Sequence, residues 1–156
     1  MEKFELSSDM LTNITDIDDQ HRKLLSWANA LSSDDTEAAV KIVDEALGNL
    51  TRYVSYHFRA EEEAMERYGY QALDKHKLQH ERLMLEVGKL VIRSKKEGPT
   101  RGLLFELQYQ FTDWFLYHIK EWDQPFAAFL KSNDTHDDFT FSEDAKEVDW
   151  TEFDWT

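Results

Sequence analysis

Six side chains, His57, Glu61, His76, His80, His118 and Asp123, with His21 upstream, are the residues of this 156-residue chain most suited to chemistry. All are imidazoles or carboxylates, the donor types that bind metal ions. The stretch HKLQH, residues 76 to 80, places two histidines four apart, so on a helix they stand one turn above each other on the same face. His57 and Glu61 repeat that spacing inside YHFRAEEE. A lone histidine on an apolar stripe is an ordinary hydrogen-bonded core residue, and His21 alone would fit that description. The set does not. Each buried polar group left unpaired costs on the order of 1–3 kcal/mol, and buried charges are paired or bind metal. One buried two-metal site accounts for all seven together. Glu62 and Glu63 are expected on other helix faces as surface charges, and His136 as a solvated residue of an acidic tail.

The elements that must position these ligands are helices. Two prolines and five glycines suit long helical runs. Ile14, Ile17, His21, Leu24, Ala28 and Leu31 alternate spacings of three and four, an amphipathic stripe carrying His21. Asp34 and Glu37 form a capping-box-like start for a second helix over about 36 to 67. Its stripe is Val43, Leu47, Leu50, Val54, His57, Glu61 and Ala64. Tyr68, Gly69 and Tyr70 make the turn. The third stripe is Leu73, His76, His80, Leu83, Val87 and Leu90, closed by Lys95 and Lys96 and stopped at Gly98 and Pro99. The fourth reads Leu104, Leu107, Phe111, Trp114 or Phe115, His118 and Trp122. Four amphipathic helices with short connections predict an antiparallel four-helix bundle, a fold whose core can build a metal site. Asp123 follows His118 by five residues, which an ideal helix turns about 140° away. Pro125, which clashes with the carbonyl of Glu121, supplies a disturbance over 121 to 125 that swings Asp123 inward.

Composition narrows the function. The absence of cysteine excludes disulfides and thiolate metal sites. The net charge of −14 argues against nucleic acid. No apolar run reaches the roughly 20 residues of a membrane span, and the acidic start is unlike a signal peptide, so a cytoplasmic protein is expected. Imidazole with carboxylate suits iron, zinc, copper or nickel. Lys77 occupies the position where a metalloprotease HExxH motif needs glutamate. The Glu-x-x-His pairs of carboxylate-rich di-iron bundles are also missing.

The ordered pattern His21, His57-x-x-x-Glu61, His76-x-x-x-His80, His118-x-x-x-x-Asp123 resembles the hemerythrins, the bacterial ones in particular. IDDQHRKLL, YHFRAEEEAM, YGY and HIKEWDQPFAAFL around the ligands are similar too. The resemblance covers residues 1–132 and implies an all-α, antiparallel up-and-down bundle with a buried di-iron site. It implies that His76, His80 and His118 bind one iron and His21 and His57 the other. Glu61 and Asp123 would bridge two iron ions that share an oxo or hydroxo group. The second iron, with fewer protein ligands, would keep a position open for dioxygen. The implied function is reversible dioxygen binding for storage, delivery or sensing, without enzymatic turnover. Alternatives are a di-iron peroxidase or nitric oxide reductase, an iron-responsive signalling module, or a zinc-bearing structural bundle.

Residues 133–156 form a second unit, an acidic aromatic C-terminal extension. Nine acids face one lysine there, among Phe139, Phe141, Trp150, Phe153 and Trp155. Charge alone reads as disorder, but five large aromatics predict docking on the bundle or capture of a partner protein.

Overall fold

The computed structural model describes residues 4–30, 36–98 and 100–133, and within helices it leaves out the side chains of 27, 30, 36–46, 49 and 50. The expectations for Leu31, the Asp34–Glu37 cap, Pro99, His136 and the tail from 134 onward, and for the Val43 and Leu50 side chains, lie outside the described residues.

Four helices, α1 (Thr15–Ala30), α2 (Thr36–Tyr68), α3 (Leu73–Glu97) and α4 (Arg101–His118), form the expected bundle, and no strand occurs among the described residues. Each packs against its chain neighbours, and α1 closes the ring against α4. A π-helical turn over Ile119–Asp123 joins α4 to a last helix, α5 (Gln124–Ser132). No helix of the described residues is long and apolar enough to cross a membrane.

Local chemistry explains the boundaries. The α2–α3 turn needs a left-handed residue, and Gly69 supplies it at φ +71°. The Tyr70 N–H then donates to the Met65 carbonyl at 2.8 Å, the closing bond of a Schellman cap. Thr100 caps α4 by accepting from the Leu103 N–H at 3.1 Å. Ahead of α1, the buried Asp18 carboxylate accepts from the Thr12 and Asn13 N–H groups at 2.9 and 3.0 Å. That fixes how the N-terminal arm meets α1. Further back, Phe4 and Asn29 exchange hydrogen bonds at 2.8 and 2.7 Å.

The predicted stripes face inward. Ile14, Ile17, Leu24 and Ala28 on α1, Leu47, Val54 and Ala64 on α2, and Leu83, Val87 and Leu90 on α3 are all buried. On α4 it is Phe115, not Trp114, that is fully enclosed, with Leu104, Leu107 and Phe111. Aliphatic layers fill the end of the bundle near the α3–α4 connection. The polar residues of interest cluster toward the α2–α3 turn.

Candidate metal centre

All seven predicted ligands are buried, none more than 2 % exposed, and they converge at one place. His21 comes from α1, His57 and Glu61 from α2, His76 and His80 from α3, and His118 from the end of α4. Asp123 arrives through the π turn. There the Gln124 N–H donates to the Ile119 carbonyl, five residues back. The wider i→i+5 turn takes up more residues than an α-helical one, which brings Asp123 back toward the face of His118, its Oδ1 3.1 Å from His118 Nε2. Pro125, in the first turn of α5, has no N–H to offer the Glu121 carbonyl. The disturbance predicted at 121 to 125 is therefore real but starts earlier, at Ile119. It also displaces Trp122 from the inward stripe to a half-buried position, where its ring meets His76 edge-on at 5.8 Å.

The two carboxylates divide the donors into two groups. Glu61 Oε1 lies 3.0 Å from His57 Nε2 and 3.5 Å from His21 Nε2. Asp123 Oδ2 lies 3.0 Å from His21 Nε2. The other oxygens face the opposite way. Glu61 Oε2 is 3.3 Å from His80 Nε2 and 3.6 Å from His76 Nε2, and Asp123 Oδ1 is 3.1 Å from both His76 and His118 Nε2. His118 Nε2 is also 3.1 Å from the Nε2 atoms of His76 and His80. Two candidate ion sites result, one of Glu61, His76, His80, His118 and Asp123 and one of His21, His57, Glu61 and Asp123.

Metal satisfies an account that hydrogen bonding leaves open. Both oxygens of Glu61, both of Asp123, and the Nε2 atoms of His21 and His57 are buried without a hydrogen-bond partner. Two buried carboxylates in that condition would cost several kcal/mol each. A first-row ion with bonds of roughly 2.1 Å sets its neighbouring donors about 3.0–3.4 Å apart. The observed spacings, 3.0–3.6 Å, lie in that range or just beyond it.

Electrostatics agree. Burial disfavours the imidazolium at His21 and His76, but Asp123 and Glu61 outweigh it and push both up to about 9. His80 is raised despite burial by Glu61 and Glu62. At His57 and His118 burial prevails and the pKa falls. Burial opposes ionisation of Glu61, yet His57, His21 and His76 hold it well below the ordinary carboxylate range. Burial and Glu61 both oppose ionisation of Asp123, which His118 and His21 hold low in the same way. Carboxylates kept ionised among imidazoles that share their charge are ready ligands for a cation.

A shell of rings and two orienting groups surrounds the donors. Phe58 stacks on His80 at 3.8 Å, Trp114 stacks on His118 at 4.6 Å, and Phe115 meets His21 edge-on at 5.5 Å. Gln20 Oε1 accepts from His57 Nδ1 at 2.6 Å, which presents Nε2 to the site. Glu62 Oε2 stands 3.3 Å from His80 Nδ1. Here the sequence reading needs correction. Glu62 is not a plain surface charge, because its side chain, 22 % exposed, folds back across α2–α3 onto a metal-type ligand. Glu63 stays exposed. Gln20 was missed as well. Its place beside His21 in IDDQHRKLL was a signal, but only packing shows that it reaches His57.

Fold and site together define an all-helical bundle enclosing an imidazole–carboxylate metal centre. The family model described as the hemerythrin HHE cation binding domain matches residues 12–130. A bacteriohemerythrin of Stenotrophomonas maltophilia is 30% identical over 125 residues, 80% of each chain. One from Methylococcus capsulatus is 28% identical over 122 residues, 78% of this chain and 91% of that protein. A solved wild-type hemerythrin superposes with TM-score 0.69 at 23% identity, over 81% of this chain and 97% of that one. A point variant of hemerythrin gives 0.71 at 22% identity, over 82% and 97%. The chain belongs to the hemerythrin family.

Proposed function

We propose that this protein holds two iron ions and binds dioxygen reversibly, for storage, delivery or sensing. The observation that carries the reading is the division of Glu61 and Asp123, each turning one oxygen toward the group of His76, His80 and His118 and the other toward the group of His21 and His57. In this reading His76, His80 and His118 would hold one iron and His21 and His57 the second, with Glu61 and Asp123 available to both. The half with one imidazole fewer would leave room beside its metal for a small ligand such as dioxygen. The di-iron pair supplies the electrons that make oxygen binding possible, and the chain's own residues supply the rest. Gln20 and Glu62 orient His57 and His80 through their outer nitrogens, the arrangement that fixes tautomer and ring direction in metal sites. Phe115 and Phe58 exclude water, and the neutral imidazoles keep the site's net charge low in surroundings that penalise charge. Among the described residues, Glu62 is a carboxylate outside the ligand set that contacts a donor, His80.

The test is the visible spectrum of anaerobically reduced, iron-loaded protein. A band that appears on admitting air and vanishes on evacuation supports reversible binding, with metal analysis expected to give two irons per chain. Irreversible conversion to the ferric form would favour a redox enzyme or sensor. Protein carrying only stoichiometric zinc, with no band, would sink the oxygen reading.

A further inference from the structure

Away from the metal centre, the most ordered surface pattern is on the outer face of α3. Leu78, Leu85 and Ile92 are 44%, 62% and 55% exposed. Seven residues apart, they form one column along the helix. Lys75, Arg82, Lys89 and Lys96 repeat the same interval and are exposed as well, a cationic column beside the apolar one. Lys89 pairs with Glu86 at 2.8 Å on the helix surface. The outer face of α4 also exposes Phe105, Tyr109 and Tyr117, but Glu106 and Asp113 stand among them and no row of cations accompanies them.

Residues 134–156 have the complementary composition, nine acids interleaved with five large aromatics. They also start in the right place. Tyr70, just before α3, packs on Phe126 and Phe129 of α5 at 5.2 and 5.0 Å. The chain therefore leaves Asn133 at the end of the bundle where α3 begins. Leu78 to Ile92 spans roughly 21 Å of helix. The segment after Asn133 covers about 35 Å if helical and up to about 76 Å if extended.

We propose that residues 134–156 dock along α3, with aromatics on the Leu78–Leu85–Ile92 column and acids on the Lys75–Arg82–Lys89–Lys96 column. Leu85 and Arg82 stand at the rim of an apolar cavity of about 400 Å³ between α3 and α4 that reaches Phe111 and Trp114.

Zero-length carbodiimide cross-linking of the full chain, in an equal mixture of isotope-labelled and unlabelled protein, tests the proposal. The expected result is links from acids of 134–156 to Lys75, Lys89 and Lys96 within single isotopic species. Arg82→Glu combined with Lys89→Glu should lower the yield at Lys75 and Lys96 by roughly tenfold, since like charges placed face to face cost at least that much in affinity. All these positions are exposed, and circular dichroism checks that the variant remains folded. Links across isotopic species would make a second copy the occupant and overturn the proposal. So would links confined to Lys23, Lys120 or Lys131, or no links from the tail.

Discussion

Raising the pH should weaken the metal-free protein and favour the loaded one, and the site's geometry sets the size of both effects. His21 and His76 face the same two carboxylates at 3.0–3.6 Å. Folding raises their pKa from 6.5 to about 9, because burial, which opposes the charge, is outweighed by Asp123 and Glu61. A rise of that size corresponds to roughly 3 kcal/mol. The two histidines share their partners, so about 3 kcal/mol is taken once for the pair. The sign follows from linkage. A group whose folded pKa lies above its unfolded value contributes stability that is complete below pH 6.5 and is lost as pH climbs through 9. His57 and His118, depressed by burial, act in the opposite sense but only below pH 6.5, where the unfolded chain takes up protons. Glu61 and Asp123 are ionised in both states throughout this interval. The window between pH 6.5 and 9 therefore isolates the raised histidines. For a domain of this size the melting temperature of chelator-treated protein should fall by about 10 °C across it. Metal competes for the same nitrogens and needs them deprotonated, so loading should release protons below pH 9 and bind more tightly as pH rises. Calorimetry in buffers of different ionisation enthalpy counts the protons, and thermal melts follow both forms. A metal-free melting temperature that rose from pH 6.5 to 9, or loading without proton release, would refute the reasoning.

Three further outcomes are expected. His80→Ala should remove the iron held by His76, His80 and His118 while leaving helix content intact, read by metal analysis and circular dichroism; two irons retained per chain would contradict the ligand assignment. Glu62→Ala takes the carboxylate away from His80 Nδ1 and should loosen iron by about 10- to 100-fold, the usual effect of losing an orienting partner. Glu62→Gln, which keeps an acceptor, should recover much of that in a chelator competition, and equal behaviour of the two variants would assign Glu62 to the surface after all. Gly69→Ala forces a side chain into the left-handed region at φ +71° and should destabilise the protein by about 1–2 kcal/mol, seen in a denaturant titration as a lower midpoint with unchanged slope.

Much of this was written in the order of residues. Spacings of three and four place His21, His57, Glu61, His76, His80 and His118 on inward stripes because a helix repeats every 3.6 residues. Helix termini were equally legible where a residue's own conformational preference decides, as at Gly69 and Gly98. Tertiary structure decided what depends on several helices at once. Asp123 joins the site because a π turn at Ile119–Asp123 replaces the regular ladder, and whether such a turn forms depends on packing as well as on Pro125. Phe115 rather than Trp114 fills the core for the same reason. Gln20 reaches His57 across 37 residues and Glu62 reaches His80 across 18, contacts with no periodic trace in the chain. Periodicity tells which face of a helix turns inward. The identity of the group it meets there, and the way Glu61 and Asp123 split their oxygens between two sets of histidines, exist only once four helices share one core.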